Sequence, residues 1–203
     1  MIAIVDVCSG NLRSVERALA QVGGDVVVTR DPDVVRKADK IVVPGQGAFG
    51  MFMQGLVERG LNEALRSAIA SGRPYLGICL GLQILFENSE EQGPCEGLGI
   101  YRGSVVKLTP GDPTLKVPHM GWNRIAQRRP DPLLDGIPDG AYVYFVHSYH
   151  ARPEDPSLLA CESVHGVRVC AAIRRDNVFA CQFHPEKSQQ VGLQLLRNFV
   201  ERA

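Results

Sequence analysis

Along the first half of the chain, apolar and polar positions switch repeatedly between two periods. Residues 2–7 form a short apolar run of the kind a buried strand requires. From Asn11 the spacing turns helical, with Leu12, Val15, Leu19 and Val22 three or four residues apart and Gly23-Gly24 closing the pattern. Residues 26–29 are β-branched, and Asp31 and Pro32 read as the cap and first-turn proline of a short helix reaching Ala38. Residues 41–43 form a third strand, stopped by Pro44-Gly45-Gln46-Gly47. Residues 61–70 read as a helix with Gly72 as its stop, residues 75–78 as a strand, and residues 80–86 as a helix. This alternation predicts a parallel sheet with helices on both faces.

The pattern changes after Gly99. Residues 104–108, 119–126, 142–147, 158–164, 169–174 and 178–183 are strand-like, and no long amphipathic helix separates them. Arg175-Asp176-Asn177 reads as a hairpin turn, and Val191, Leu195, Leu196 and Phe199 give a closing helix one apolar face. No repeat, low-complexity tract or linker interrupts residues 1–203. The expected fold is one α/β domain, an open, mostly parallel mixed sheet with helices on both faces and added antiparallel strands.

Composition narrows the function classes. At 203 residues the chain suffices for a core without disulfides or metals. Its 22 basic and 22 acidic residues leave no net charge, which argues against a nucleic-acid or anionic-lipid partner. The densest basic cluster, Arg124, Arg128 and Arg129, reads as a solvated loop before Pro130 and Asp131. The longest charge-free run, residues 41–57, holds Pro44 and four glycines and is no membrane span. The six cysteines are scattered, show no CxxC or Cys/His spacing, and follow an opening that carries Asp6 and no basic leader. The expectation is a reduced, cytoplasmic protein with free thiols and no metal or organic cofactor.

One cysteine differs from the rest. Gly77-Ile78-Cys79-Leu80-Gly81 follows an apolar strand and opens a helix, a glycine–nucleophile–glycine turn with cysteine in the serine's place. Such a turn lifts Cys79 out at the carboxyl end of the sheet, where open α/β folds place ligands. The helix N-terminus behind it favours thiolate, and the Leu80 N–H points to where an oxyanion would develop. A buried structural cysteine between packing glycines is the plainer alternative.

A nucleophile needs a base. Of the five histidines, His184 stands in Phe183-His184-Pro185-Glu186, where Pro185 fixes the backbone and a carboxylate two residues on can orient the ring. Alone, this segment reads as a strand-end turn; with the cysteine turn upstream it reads as a base. Pro44-Gly45-Gln46-Gly47 offers glycine-rich backbone at another strand end. Gln83, one helical turn after Cys79, is a polar side chain among Leu82, Ile84, Leu85 and Phe86, either a ligand contact or a helix-edge residue.

Together, Pro44–Gly47, Gly77–Gly81 with Gln83, and His184-Pro185-Glu186 resemble the class I (triad-type) glutamine amidotransferases over nearly the whole chain. That resemblance implies Cys79 as nucleophile, His184 as base and then acid, and Glu186 as its orienting partner. It implies oxyanion amides at Gln46 and Leu80, and glutamine contacts at Gly47 and Gln83. Within the family, Pro118-His119-Met120-Gly121-Trp122-Asn123, Phe145-Val146-His147-Ser148-Tyr149, Phe183–Ser188, and the opening Ile4-Val5-Asp6 with Ser9-Gly10-Asn11-Leu12-Arg13-Ser14 are similar to the glutaminase subunits of imidazole glycerol phosphate synthases. The similarity implies a heterodimer in which a (β/α)8-barrel cyclase subunit receives ammonia through a tunnel. His147, Ser148 and Tyr149 would line the glutamine site, and Met120, Trp122, Asn123 and Lys187 would face the partner. Trp122 as core and Lys187 as a solvated charge are the alternatives. Position 46 is glutamine where these subunits usually carry a small aliphatic residue, which leaves a backbone N–H contact in place. The glutaminase of another synthase, for anthranilate or GMP, and a silent binding module with Cys79 as a redox-sensing thiol are the competing functions.

Overall fold

The computed structural model describes residues 1–7 and 12–203; Cys8, Ser9, Gly10 and Asn11, part of the expected first helix and of the opening motif, lie outside the described residues. The first half follows the predicted alternation: β1 (Ile2–Val5), α1 (Leu12–Gln21), β2 (Val26–Thr29), α2 (Pro32–Lys37), β3 (Lys40–Gly45), α3 (Phe49–Glu58), α4 (Leu61–Ala70), β4 (Tyr75–Cys79) and α5 (Leu80–Gln83). Asp31 caps α2 by accepting from the Asp33 N–H, and Pro32 occupies the first turn.

The second half is β-rich: β5 (Phe86–Ser89), β6 (Cys95–Glu96), β7 (Tyr101–Lys107), β8 (His119–Arg124), β9 (Ala126–Gln127), β10 (Tyr142–His147), β11 (Tyr149–Pro153), β12 (Leu159–His165), β13 (Val167–Arg175) and β14 (Val178–Cys181), followed by α6 (Gln189–Arg202). Eight strands form one mixed sheet in the order β2-β1-β3-β4-β14-β13-β12-β9. It is parallel from β2 to β14 and antiparallel from β14 to β9. A four-stranded sheet (β11-β7-β5-β6) and a two-stranded ribbon (β10-β8) stand apart from it.

The buried side chains explain why helices cover both faces. Along β1, Ala3 and Val5 pack on one side with α2, α3 and α4, together with the second sheet's Phe86, Tyr101 and Val105. Ile2 and Ile4 face the other side, against Val15 and Leu19 of α1 and Leu195, Leu196 and Phe199 of α6. Both faces of a parallel strand are buried this way, so its sequence is an unbroken apolar run.

Three expectations need correction. The helix expected over residues 80–86 ends at Gln83, because the carbonyls of Ile84 and Leu85 accept from the N–H groups of Leu98, Ile100 and Tyr101, and Phe86 enters β5. The third strand runs through Pro44 into Gly45 rather than stopping at Pro44. The charge-free run also holds a helix that the pattern did not predict, α3, whose Phe49, Phe52, Met53 and Leu56 are buried at helical spacing. Of the basic cluster, Arg124 ends β8 rather than lying in a loop, while Arg128 and Arg129 lie in the expected exposed bend, after β9, where Arg128 pairs with Glu162 at 2.6 Å and Arg129 donates to the Arg174 carbonyl. Strands β5, β6 and β11 are additions that the pattern did not predict. Among the described residues no helix is long and apolar enough to cross a membrane.

Candidate active site

Cys79 ends β4 and precedes α5 with φ 55° and ψ −106°. A non-glycine residue pays for such a conformation, so the surroundings must impose it. They do so by crowding: a Cβ on Gly77 would lie 2.3 Å from the Gly81 carbonyl oxygen, and one on Gly81 only 1.8 Å from that of Val43. The glycines let strand, turn and neighbouring β3 close together, and the turn drives the thiol to the sheet's carboxyl end. With four residues, α5 supplies less dipole than the longer helix expected from the sequence, so neighbouring side chains matter more to the sulfur.

His184 arrives from the adjacent strand. β14 runs parallel to β4 with Cys181 opposite Ile78, so the two chains leave the sheet side by side. The His184 N–H donates to the Tyr144 carbonyl at 2.9 Å. The Ser188 hydroxyl donates to the His184 carbonyl at 2.7 Å and accepts from the Tyr144 N–H at 3.0 Å. A 3-10 turn over Pro185–Lys187 folds Glu186 back, and its Oε1 lies 2.8 Å from His184 Nδ1. That contact places the ring's proton on Nδ1 in the neutral form, leaving Nε2 as its basic atom. Both side chains are buried, and among the described residues His184 Nε2 meets no hydrogen-bond partner within bonding geometry. Burial opposes a charged ring, but the Cys79 thiol and the Glu186 carboxylate outweigh it and push the His184 pKa up to about 10.

A cavity of about 330 Å³ opens over these groups. Cys79, Leu80 and His184 line it together with Gln46, Gly47, Gln83, His147, Ser148 and Tyr149. Sequence reasoning missed Glu91, Pro118 and Val146, which also line it. Glu91 accepts from the Phe49 N–H at 2.8 Å, tying the start of α3, just after the Gln46–Gly47 turn, to the second sheet.

It also missed Gln182, whose signal was a lone amide in the apolar stretch Phe179-Ala180-Cys181-Gln182-Phe183. Gln182 is fully buried, accepts from Gln83 Nε2 at 3.0 Å, and donates to Cys79 Sγ at 3.5 Å. Among the described residues the other cysteines are free too, but burial pushes Cys161 up to about 12 and Cys181 well above the ordinary thiol range.

The four residues of the expected interface lie outside this cavity, on or beside the ribbon. Met120 is 62% and Trp122 46% exposed, with Tyr142 beside them at 49%. Trp122 meets the Tyr144 ring edge-on, and Lys187 Nζ sits 5.8 Å from the same ring. Asn123 is turned inward: its amide lies 3.1 Å from His119 Nε2 and donates to the Val164 carbonyl at 2.9 Å.

Comparison with known proteins found relatives along nearly the whole chain. Residues 3–203 match the family described as "Glutamine amidotransferase class-I". The chain is 53% identical to the "Imidazole glycerol phosphate synthase subunit HisH" of Syntrophotalea carbinolica over 98% of each sequence. It is 49% identical to the protein of the same name from Geobacter sulfurreducens, again over 98% of each. Among solved structures, the PurLQS structure from Thermotoga maritima superposes with a TM-score of 0.74 at 18% identity, covering 98% of this chain and 96% of that one. The glutaminase domain of the Trypanosoma brucei CTPS gives 0.69 at 14% identity, covering 100% and 94%. At these identities the structures attest the fold, whereas the sequence relatives and the family match extend across the strained cysteine turn and the His-Pro-Glu segment alike: the chain belongs to the class-I glutamine amidotransferases.

Proposed function

We propose that the chain is the glutaminase subunit of an imidazole glycerol phosphate synthase, a cytoplasmic heterodimer whose second subunit is a (β/α)8-barrel cyclase. The observation that carries the site assignment is geometric. A cysteine on a strained turn and a histidine oriented by a carboxylate line one cavity, although the two arrive from separate strands. The sequence relatives support the choice of synthase, since their names say that they are subunits of one.

Glutamine enters the cavity with its carboxamide carbon against Cys79 Sγ. The thiol proton passes to His184 Nε2, where the raised pKa of the ring favours it, and the sulfur electron pair forms a C–S bond as the carbonyl electrons move onto oxygen. N–H groups of Leu80 and Gln46 receive that oxyanion; one such donor supplies about 3 kcal/mol in comparable sites. As the oxyanion collapses, the C–N bond breaks, His184 returns the proton to the departing nitrogen, and ammonia leaves. Water, deprotonated by the same Nε2, then hydrolyses the thioester to glutamate and restores the thiol. Glu186 keeps its contact with Nδ1 and holds the ring. Gly47, Gln83, His147, Ser148 and Tyr149 surround the rest of the substrate.

The ammonia passes through a tunnel to the cyclase, which forms imidazole glycerol phosphate and aminoimidazole carboxamide ribonucleotide. Met120, Trp122 and Lys187 would meet that partner; a half-exposed tryptophan flanked by Met120 and Tyr142 has the make-up of an interface anchor. Asn123, satisfied internally, would support the ribbon from within. Glutamate release from glutamine is the test, measured with and without the cyclase and its nucleotide ligand. The reading requires release that the cyclase stimulates, and a Cys79→Ala complex that still works with added ammonia. Release indifferent to the cyclase, or a variant dead with ammonia too, would overturn it.

A further inference from the structure

The hydrogen bonds behind Cys79 run in one direction only. The Tyr149 carbonyl can only accept, so the Gln83 group 2.9 Å from it must be the amide nitrogen. The second hydrogen of that nitrogen points at Gln182, 3.0 Å away, and this forces the Gln182 oxygen to face Gln83. A flipped Gln182 would set two donors against each other in a buried site. The Gln182 amide nitrogen is therefore committed to the other side, toward Cys79 Sγ at 3.5 Å. Gln182 is 0% and Gln83 3% exposed, so no water competes for these contacts.

We propose that Gln182 is a positioning residue for the nucleophile: its N–H, oriented by Gln83 and the Tyr149 carbonyl, holds the Cys79 sulfur in place and stabilises it as the anion. A thiol is a weak acceptor and a thiolate a strong one, so a fixed N–H donor favours the attacking form. The titratable groups facing this sulfur are His184, on the same segment as Gln182, and the Cys181 thiol; Glu186 lies behind His184. Gln182 differs from all of them in carrying no charge and exchanging no proton, so it acts through Cys79 alone. Losing a buried hydrogen bond to a charged group corresponds to roughly 10- to 100-fold in rate.

The inference rests on the proposed glutaminase reaction only where turnover is concerned, and the test separates the two. In the full chain, Gln182→Met keeps the volume and removes the donor. Gln182→Glu keeps the acceptor for Gln83 and points a carboxyl oxygen at the sulfur. Alkylation of Cys79 by iodoacetamide is followed against pH in each variant, without glutamine or partner. With the cyclase present, kcat and KM for glutamine are then compared.

The expected result is an alkylation profile displaced to higher pH in both variants, kcat lowered roughly 10- to 100-fold, and KM within about threefold of the parent. Profiles that coincide with the parent's, or a loss confined to KM, would overturn the role. Should Gln182→Met fail to fold by circular dichroism, the isosteric Gln182→Glu carries the same comparison. A parent chain that releases no glutamate refutes the proposed function, and its alkylation profile still decides the role of Gln182.

Discussion

His119 Nδ1 lies 3.0 Å from His147 Nε2, and the surrounding acceptors leave this pair a single tautomeric arrangement. His147 Nδ1 must donate to the Tyr149 carbonyl at 3.0 Å, so its Nε2 accepts from His119. His119 Nε2 then accepts from Asn123. Both rings are neutral: burial first, and the neighbouring histidines second, lower His147 to about 3 and His119 to about 4.

That arrangement fixes the sign of one pH dependence. In the unfolded chain these histidines titrate near 6.5, so on acidification the unfolded state takes up protons first. The stability they contribute is present above about pH 6.5 and is lost as the pH falls from there toward 3. Urea midpoints at pH 7.5 and 5.0 should show a clear acid decline, shallower in a His147→Gln variant. An equal decline in parent and variant would remove the pair from the account.

His184 has the opposite sense. Its raised pKa owes part of its height to the Cys79 sulfur. Cys79→Ala removes that contribution, so the ring should release its proton at lower pH than in the parent. Nitrogen chemical shifts of a ring-labelled histidine follow this directly, and a titration unmoved by the substitution would mean that Cys79 and His184 do not interact.

Gly81→Ala tests the crowding at the turn. Its new methyl would collide with the Val43 carbonyl, a backbone atom that cannot step aside. Overpacking of this kind costs about 2–3 kcal/mol. The loss should appear in the urea midpoint, along with a fall in Cys79 reactivity because the strand end moves.

Trp122→Ala separates folding from partnership. Trp122 is half exposed and meets the Tyr144 ring edge-on. The isolated chain should therefore stay within about 0.5 kcal/mol of the parent. As an interface anchor, Trp122 should cost about 2 kcal/mol or more of cyclase affinity by titration calorimetry. Unchanged affinity would remove the ribbon from the proposed interface.

Legibility in the sequence followed periodicity. The α4 helix, Leu61–Ala70, lies where the spacing and Gly72 put it, since one face is buried and the other wet. Residues 80–86 misled because Leu80, Leu82, Ile84, Leu85 and Phe86 are all buried, and a segment buried all round has no period to read. The cysteine turn was legible because only glycine tolerates the approaches at positions 77 and 81. Gln182 was not, because its meaning lies in three other residues, Gln83, Tyr149 and Cys79, distant in sequence. Neither was the inward turn of Asn123, which depends on His119 and Val164 from two different strands.

The pairing of β14 between β4 and β13 also sets an order in time. About a hundred residues must follow Cys79 off the ribosome before His184 emerges, and synthesis delivers them at roughly 5–20 per second. Until then β4 is an open edge and the thiol lacks its proposed base. On the proposed mechanism, glutamine in the surrounding solution meets a finished chain or an inert one, and a truncated product that ends before the last strand releases no ammonia.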